Sequence, residues 1–384
     1  MVRMSALEGI RVIDLSQVMA GPYCGMLLAD MGADVIKVEP PKGESTRRWS
    51  PYKEGESGAF MAINRNKRSI TLDLKSAEDQ KVFYKLIETA DILIENFRPG
   101  VVKRLGVDYE TLNQINPKLI YCSISGFGQY GPYSSRGGYD LIAQGMTGIM
   151  SVTGERNGNP VKCGLPIIDL GSGLFSVYGI LSALYSRVHS DEGQYIDASL
   201  YDTGLALSVW ESTQYWFTGE TPAPTGSGHR LSAPYQAFRA SDGYFTVGAD
   251  TPHHWPVFCQ IIGRPEFLSD DRFVDDASRI QHLNEFVRLI EEKTSLNPRH
   301  YWLEKFEKAG IPAGPINTYP ESLTDPHTLS RRMIEEVVHP VAGKIKALGI
   351  PVKLSKTPGK IAKSAPVLGE HKEEILKELG LAAK

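Results

Sequence analysis

The sequence predicts an α/β protein built on a parallel sheet. Short apolar strands alternate with helical segments as far as about Trp216, and the composition changes near Thr218, where a second pattern begins. A strand–helix–strand unit of the size seen in the first forty residues joins parallel strands by a right-handed crossover.

Taken in order, 10–15 is an apolar strand and 16–21 a loop. Pro22 stands at the expected first helical position, where its missing N–H costs nothing. The helix CGMLLADM ends at Gly32, and ADVIKVE is the next strand. Residues 69–73 form a short strand, and Ser76 with Asp79 predicts a capping box for a helix through Ile87. Strands over 91–97 and 119–128 follow, then helices over 139–150 and 170–187, the strand QYIDAS and a helix over 200–216. GETPAPTGSGHR reads as a linker or mobile loop. Beyond it lie a hairpin around Ser241-Asp242-Gly243, helices over 276–293 and 298–309, the strand pair MIEEVVH and GKIKALGI, and a last helix over about 371–381.

A chain of 384 residues fits two domains, or one large domain with an insertion. With 41% hydrophobic and 23% charged residues it has the mix of a soluble globular protein. A net charge of -3 argues against nucleic-acid binding through bulk positive charge. Cys24, Cys122, Cys163 and Cys259 are far apart and form no CxxC pair, so neither a disulfide framework nor a zinc site is expected. The N-terminus carries no apolar signal core. The most apolar stretch, 163–186, is interrupted by Asp169 and several small residues, and reads as a buried segment rather than a membrane span. The expectation is a cytoplasmic protein with no nucleic-acid or membrane partner. The adjacent His253 and His254 are poorly spaced for chelation and read as surface or packing residues.

Asp169 is the only charged residue between Lys162 and Arg187. It precedes Gly171-Ser172-Gly173 at the start of an apolar helix, where the helix N-terminus favours a carboxylate and apolar neighbours make ionisation costly. Two readings stand: a helix N-cap, or a reactive carboxylate. Glu39 ends the second strand, as in dinucleotide sites, but the loop Ser16-Gln17-Val18-Met19-Ala20-Gly21-Pro22 lacks the glycine fingerprint, which argues against NAD. Basic residues gather at Asn66-Lys67-Arg68 with Lys75, and at Arg98 with Lys103 and Arg104. Each group is either solvated surface or a set of donors for a phosphate-rich ligand.

The run LEGIRVIDLSQVMAGPYCGMLLADMGADVIKVEPPKGE, followed by NRNKRSITLDLK, ILIENFRPGVVKRLGV, YCSISGFGQYGP, GGYDLIAQGMTG and DLGSG, resembles the class III CoA-transferase family, also called CaiB/BaiF. GQYIDASLYD, APYQAFRASDGYFTVGA and PVLGEHKEEILKELG extend the likeness over nearly the whole chain, and it is greatest to members using succinyl-CoA or other dicarboxyl-CoA donors with dicarboxylic or hydroxy-acid acceptors. The resemblance implies a Rossmann-like large domain from 1–222 and 333–384, an inserted α+β domain over 223–332, and an interlocked homodimer in which each chain threads through the other. Coenzyme A and acyl-CoA are implied as substrates, with no permanently bound cofactor and no metal.

By the same resemblance Asp169 is the carboxylate nucleophile and Gln17 a second catalytic residue. Val18, Met19 and Ala20 lie at the CoA thiol arm, Leu72, Lys75, Asn96, Phe97 and Arg104 along the CoA path, and Tyr139 beside the arm. Where oxalate-linked members carry basic residues this chain has Pro40, Ser125 and Gly137, which leaves Lys37, Lys67, Arg68 and Arg136 as candidate phosphate partners. Backbone N–H groups of 171–173 are candidates for oxyanion donors. Gly226-Ser227-Gly228 is the loose counterpart of the family's glycine-rich lid. The rival readings are an α-methylacyl-CoA racemase, which carries histidine where this chain has Tyr139, and a non-catalytic acyl-CoA-binding protein.

Overall fold

A computed structural model describes residues 5–381 of the chain. It divides into two compact units. One comprises residues up to Ile149, Lys162–Trp216 and those from Pro326 on; the other comprises Met150–Val161 and Phe217–Asp325.

The first unit is a six-stranded sheet of β1 (Arg11–Asp14), β2 (Asp34–Glu39), β3 (Lys67–Thr71), β4 (Ile92–Glu95), β5 (Ile120–Ser125) and β6 (Tyr195–Ser199), all parallel. The strand order is β3-β2-β1-β4-β5-β6, so the order reverses between β1 and β4. Successive residues of each strand feed opposite layers. Val12, Val35, Ile92, Ile94 and Cys122 join one core, and Ile13, Ile36, Leu93 and Tyr121 the other. Strands buried on both faces require such continuous apolar runs. Each fully buried Ile or Leu contributes about 1.5–3 kcal/mol over its exposed state.

Helices of this unit include α1 (Ala20–Asp30), α2 (Ala77–Glu88), α3 (Asp140–Met146), α4 (Ile167–Ser190), α5 (Leu200–Leu207) and α6 (Val209–Thr218), whose last two residues pass into the second unit. A helix over Lys372–Glu378 packs Ile375 into the layer that α2 covers with Phe83, Leu86 and Ile87. The strands over Ile334–His339 and Gly343–Leu348 form an antiparallel pair.

Several boundaries differ from expectation. α1 begins at Ala20, which makes Pro22 its third residue, still within the turn whose N–H groups lack helical partners. Ser76 does cap α2 by position but its side chain makes no cap bond, and the Asp79 carboxylate accepts the Asp73 N–H at 2.7 Å. The expected 139–150 helix breaks near Gly148, which has φ +89, and the 200–216 helix breaks at Ser208, whose hydroxyl bonds back to the Leu205 carbonyl. The 276–293 helix divides at His282 into Asp276–Gln281 and Leu283–Thr294.

The long apolar helix α4 departs most from expectation. It is not buried throughout: Leu174, Tyr178, Leu181, Tyr185 and Val188 are all exposed, from 43% to 78%. Their spacing of four, three, four and three residues draws one continuous stripe.

The second unit pairs strands over Tyr235–Ala240, Gly243–Gly248 and Ala313–Pro315, the first two as a hairpin with register Gly243 to Ala240. Phe238, Phe245, Phe258, Phe286 and Phe306 fill the core between this sheet and its helices.

Candidate active site

In open α/β sheets ligands bind beyond the carboxyl ends of the strands, where the strand order reverses. Here that place is a cavity of about 320 Å³. The loop after β1 contributes Gln17, Val18, Met19 and Ala20, the segment after β4 contributes Asn96 to Pro99, and the end of β5 contributes Ile124, Ser125 and Gly126. The 136–139 segment, Asp169 and Leu200 complete the lining. Asn96 fastens two of these segments together. Its Oδ1 accepts the Gln17 N–H at 2.8 Å, and its Nδ2 donates to the Gln17 carbonyl at 2.7 Å.

Asp169 is the third residue of α4, behind an N-cap, Pro166, that has no side chain able to cap. The capping is done by Asp140 of α3. Its Oδ1 accepts the N–H groups of Ile168 at 2.9 Å and Asp169 at 3.2 Å. Its Oδ2 accepts from Gln144 Nε2, and Gln144 Oε1 in turn accepts the Cys163 N–H at 2.8 Å. The remaining N–H groups of the first turn go to Leu165 and Pro166 carbonyls. The carboxylate of Asp169 is therefore not spent as a cap. Among the described residues no donor bonds it, and burial followed by the charge of Asp140 pushes its pKa up to about 7.

The expected oxyanion donors at 171–173 are not available, since these residues lie beyond the first turn and their N–H groups belong to the helix ladder. The glycines serve packing. A Cβ on Gly173 would lie 2.9 Å from both the Ala20 carbonyl and the Tyr23 ring, and one on Gly171 would lie 3.0 Å from Thr203. Gly173 lets α4 approach α1 closely enough to set Asp169 opposite the Gln17–Ala20 loop, and Gly171 lets α4 approach α5. Gly126 and Gly138 act likewise, each placing a hypothetical Cβ within 2.7 Å of the other's Cα.

The residues expected around CoA fall into three groups. Gln17, Val18, Met19, Ala20, Asn96, Phe97 and Tyr139 line the cavity with Asp169. Leu72 and Lys75 line a second cavity of about 140 Å³, which shares Gln17 and Phe97 with the first. Arg104, on the exposed face of a short helix, lines neither.

Three of the candidate phosphate partners are spoken for. Lys67 is fully buried and places its ammonium 2.8 Å from Asp14, the Pro22 carbonyl and Asn64. Lys37, also fully buried, donates to the Ser16 carbonyl at 2.8 Å. Arg68 is paired with Asp34, Glu374 and Glu378. Arg136 alone of the four reaches the cavity, beside Arg98, whose guanidinium packs over Gly137. Glu39, the residue suggestive of a ribose contact, is engaged by Arg47 with two bonds of 2.7 Å.

Sequence reasoning missed Asp140. An acid at the first position of a helix reads as serving its own helix, and nothing local shows that it caps another. Its neighbour Tyr139 is 66% exposed and lines the cavity from the N-cap position of α3. Among the described residues no group of three His, Cys, Asp or Glu side chains is arranged to hold a metal.

The family model described as CoA-transferase family III matches residues 7–372. Succinate–glutarate CoA-transferase of Agrobacterium fabrum is 39% identical, the match covering 98% of this chain and 96% of that protein. Succinyl-CoA:mesaconate CoA-transferase of Haloarcula hispanica is also 39% identical, over 98% of this chain and 97% of that protein. A crystal structure of a CaiB/BaiF family protein from Brucella suis superposes with a TM-score of 0.90 at 39% identity, covering 98% of this chain and 99% of that one. The chain belongs to CoA-transferase family III and is a CoA-transferase.

Proposed function

We propose that the protein moves CoA from a dicarboxyl-CoA donor to a free dicarboxylic or hydroxy acid, with Asp169 as the nucleophile. The observation that carries the assignment is an unbonded carboxylate, raised to about 7, at the cavity where the strand order reverses. The likeness to glutarate and mesaconate CoA-transferases supports the substrate class.

An ionised Asp169 attacks the thioester carbonyl and expels the CoA thiolate, leaving a mixed anhydride of Asp169 and the donor acid. The thiolate attacks the aspartyl carbonyl, releasing the donor carboxylate and leaving an aspartyl-CoA thioester. The acceptor carboxylate attacks that thioester, and the thiolate freed again takes the acceptor acyl group from the second anhydride. Asp169 emerges as a carboxylate. The overall reaction exchanges one thioester for a similar one, and covalent catalysis divides that transfer into easier steps. A carboxylate near 7 is a stronger base than one near 4, yet is ionised at neutral pH in a large fraction of molecules.

In this reading the thiol arm lies against Gln17–Ala20 and Tyr139, and the CoA chain runs past Phe97 toward Leu72 and Lys75. Arg98 and Arg136 are the basic residues that line the Asp169 cavity. Water must be kept from every intermediate. No histidine lines the cavity, so the two-sided proton transfer of a racemase lacks a group that titrates near neutrality on the Tyr139 side.

The assembly we assign is the interlocked homodimer, with Phe217–Asp325 inserted in the chain of the large domain in place of the expected 223–332. The exposed stripe from Leu174 to Val188, together with the exposed Trp210 and Trp216, supports burial against a second copy. Native dimers carrying different tags, when mixed, then exchange almost no subunits, and rapid exchange defeats the interlocked assignment.

The function is tested by measuring CoA exchange between labelled dicarboxyl-CoA and free acids, with 2-methylacyl-CoA in deuterated water as a control. Transfer by the wild type, none by Asp169→Asn, and no deuterium uptake are expected. Full transfer by Asp169→Asn, or deuterium uptake without transfer, defeats the reading.

A further inference from the structure

The loop that bears Gln17 holds an unusual conformation, and its hydrogen bonds show what imposes it. Val18 has φ +69, the left-handed region that crowds a β-branched side chain. The hydrogen bonds that fix the peptide groups on either side of Gln17 go to side chains. Asp14 Oδ1 accepts the Ser16 N–H at 2.9 Å, Lys37 Nζ donates to the Ser16 carbonyl, and Asn96 takes both the N–H and the carbonyl of Gln17. Glu44 Oε2 accepts the Val18 N–H at 2.9 Å.

Glu44 belongs to a chain of charges sealed under the loop. Its Oε1 lies 3.5 Å from Lys37 Nζ and has no hydrogen-bond partner. Lys37 lies 3.9 Å from Asp14, and Asp14 lies 2.8 Å from Lys67. All four side chains are fully buried. The Glu44 N–H is itself anchored to Glu39 at 3.2 Å. Burying two acids and two bases is costly, and a more stable apolar core would not grip the loop.

We propose that Glu44 is a positioning residue for the transfer reaction: its carboxylate, fixed by Lys37, holds Val18 in the left-handed conformation that presents Gln17 and Met19 to the Asp169 cavity. Since the Gln17 peptide groups are already satisfied, it is the side chain of Gln17 that faces substrate. This inference rests on the reading of that cavity as the acyl-CoA site.

The test is a double-mutant cycle between Glu44→Ala and Val18→Gly, read as kcat and KM for CoA exchange. Glycine enters the left-handed region without a steric cost, so in the Val18→Gly background the grip of Glu44 matters less. The expected result is a fall in kcat of about tenfold or more for Glu44→Ala alone, the equivalent of about 1.4 kcal/mol. In the Val18→Gly background the fall is at most about a third of that in factor. KM for the CoA ester moves less than kcat in both. A purely structural role for Glu44 gives the same factor in both backgrounds, and that result, or a kcat within twofold of wild type, overturns the proposal. Should Glu44→Ala fail to fold, Glu44→Gln takes its place in the cycle, under the same criteria. Asp169→Asn is run alongside. If it transfers CoA at the wild-type rate, the site reading fails, while the cycle still decides whether Glu44 acts through Val18.

Discussion

Replacing Asp140 by asparagine should shift the pH dependence of the reaction downward. Asp169 is raised from 3.8 to about 7, first by burial and second by the charge of Asp140. The nucleophile must be ionised, so kcat/KM of the wild type rises with pH and levels off above about 7. Below that midpoint each pH unit removes about a factor of ten. Asp140→Asn deletes the second cause and leaves the first, so the midpoint falls but stays above 3.8. A fall of one unit from about 7 multiplies the ionised fraction at about pH 5.5 roughly eightfold, and a second unit roughly threefold more.

The geometry survives in part. The asparagine carbonyl can accept the Ile168 and Asp169 N–H groups, but its amide then faces Gln144 Nε2, also a donor. Turning the Gln144 amide would release its bond to the Cys163 N–H. The plateau rate should therefore fall, by roughly the tenfold that a strained or lost hydrogen bond of about 1.4 kcal/mol represents. The assay is kcat/KM for CoA exchange from about pH 5 to 9. An unchanged or raised midpoint refutes the electrostatic argument.

Stability should respond to Asp169 in the opposite sense. A carboxyl whose folded pKa lies above its unfolded value destabilises the fold increasingly as pH rises from about 4 to about 7. Asp169→Asn should match the wild type near pH 4 and exceed it near pH 8 by at most about 4 kcal/mol, reduced by solvent screening, as urea unfolding at both pH values reports. Gly173→Ala drives a methyl against the Ala20 carbonyl and the Tyr23 ring, so it should cost about 1–3 kcal/mol and lower kcat by moving Asp169 relative to Gln17. Normal kcat in a folded Gly173→Ala protein removes the close α1–α4 approach from the account.

The alternation of strand and helix was legible because residues such as Val12, Ile13 and Ile92 to Ile94 must be apolar on consecutive positions to fill two layers at once. Asp169 was legible for a related reason: one charge in a long apolar run demands a purpose. Which purpose was not legible, because the cap that frees its carboxylate comes from Asp140, 29 residues earlier. Lys37 and Lys67 look like surface residues in sequence, yet β2 and β3 turn them toward Asp14, and the cross-strand pairing that does so has no local signature. Gly171 and Gly173 announced a close approach, but whether a ligand or another helix approached them required the fold. The stripe on α4 has the composition of a core helix. Composition alone does not say whether one chain or two supply the covering surface.

The account stands or falls on a covalent bond at Asp169, which trapping shows directly. The enzyme is incubated with a dicarboxyl-CoA ester in the absence of acceptor, quenched with hydroxylamine, digested and mapped by mass spectrometry. An activated aspartyl group, whether anhydride or thioester, becomes a hydroxamate, while an untouched carboxylate does not. The expected result is a hydroxamate on Asp169 that requires the CoA ester and is missing when free acid alone is supplied. Exchange proceeding at full rate with Asp169 unmodified, or with the hydroxamate on another residue, contradicts the account.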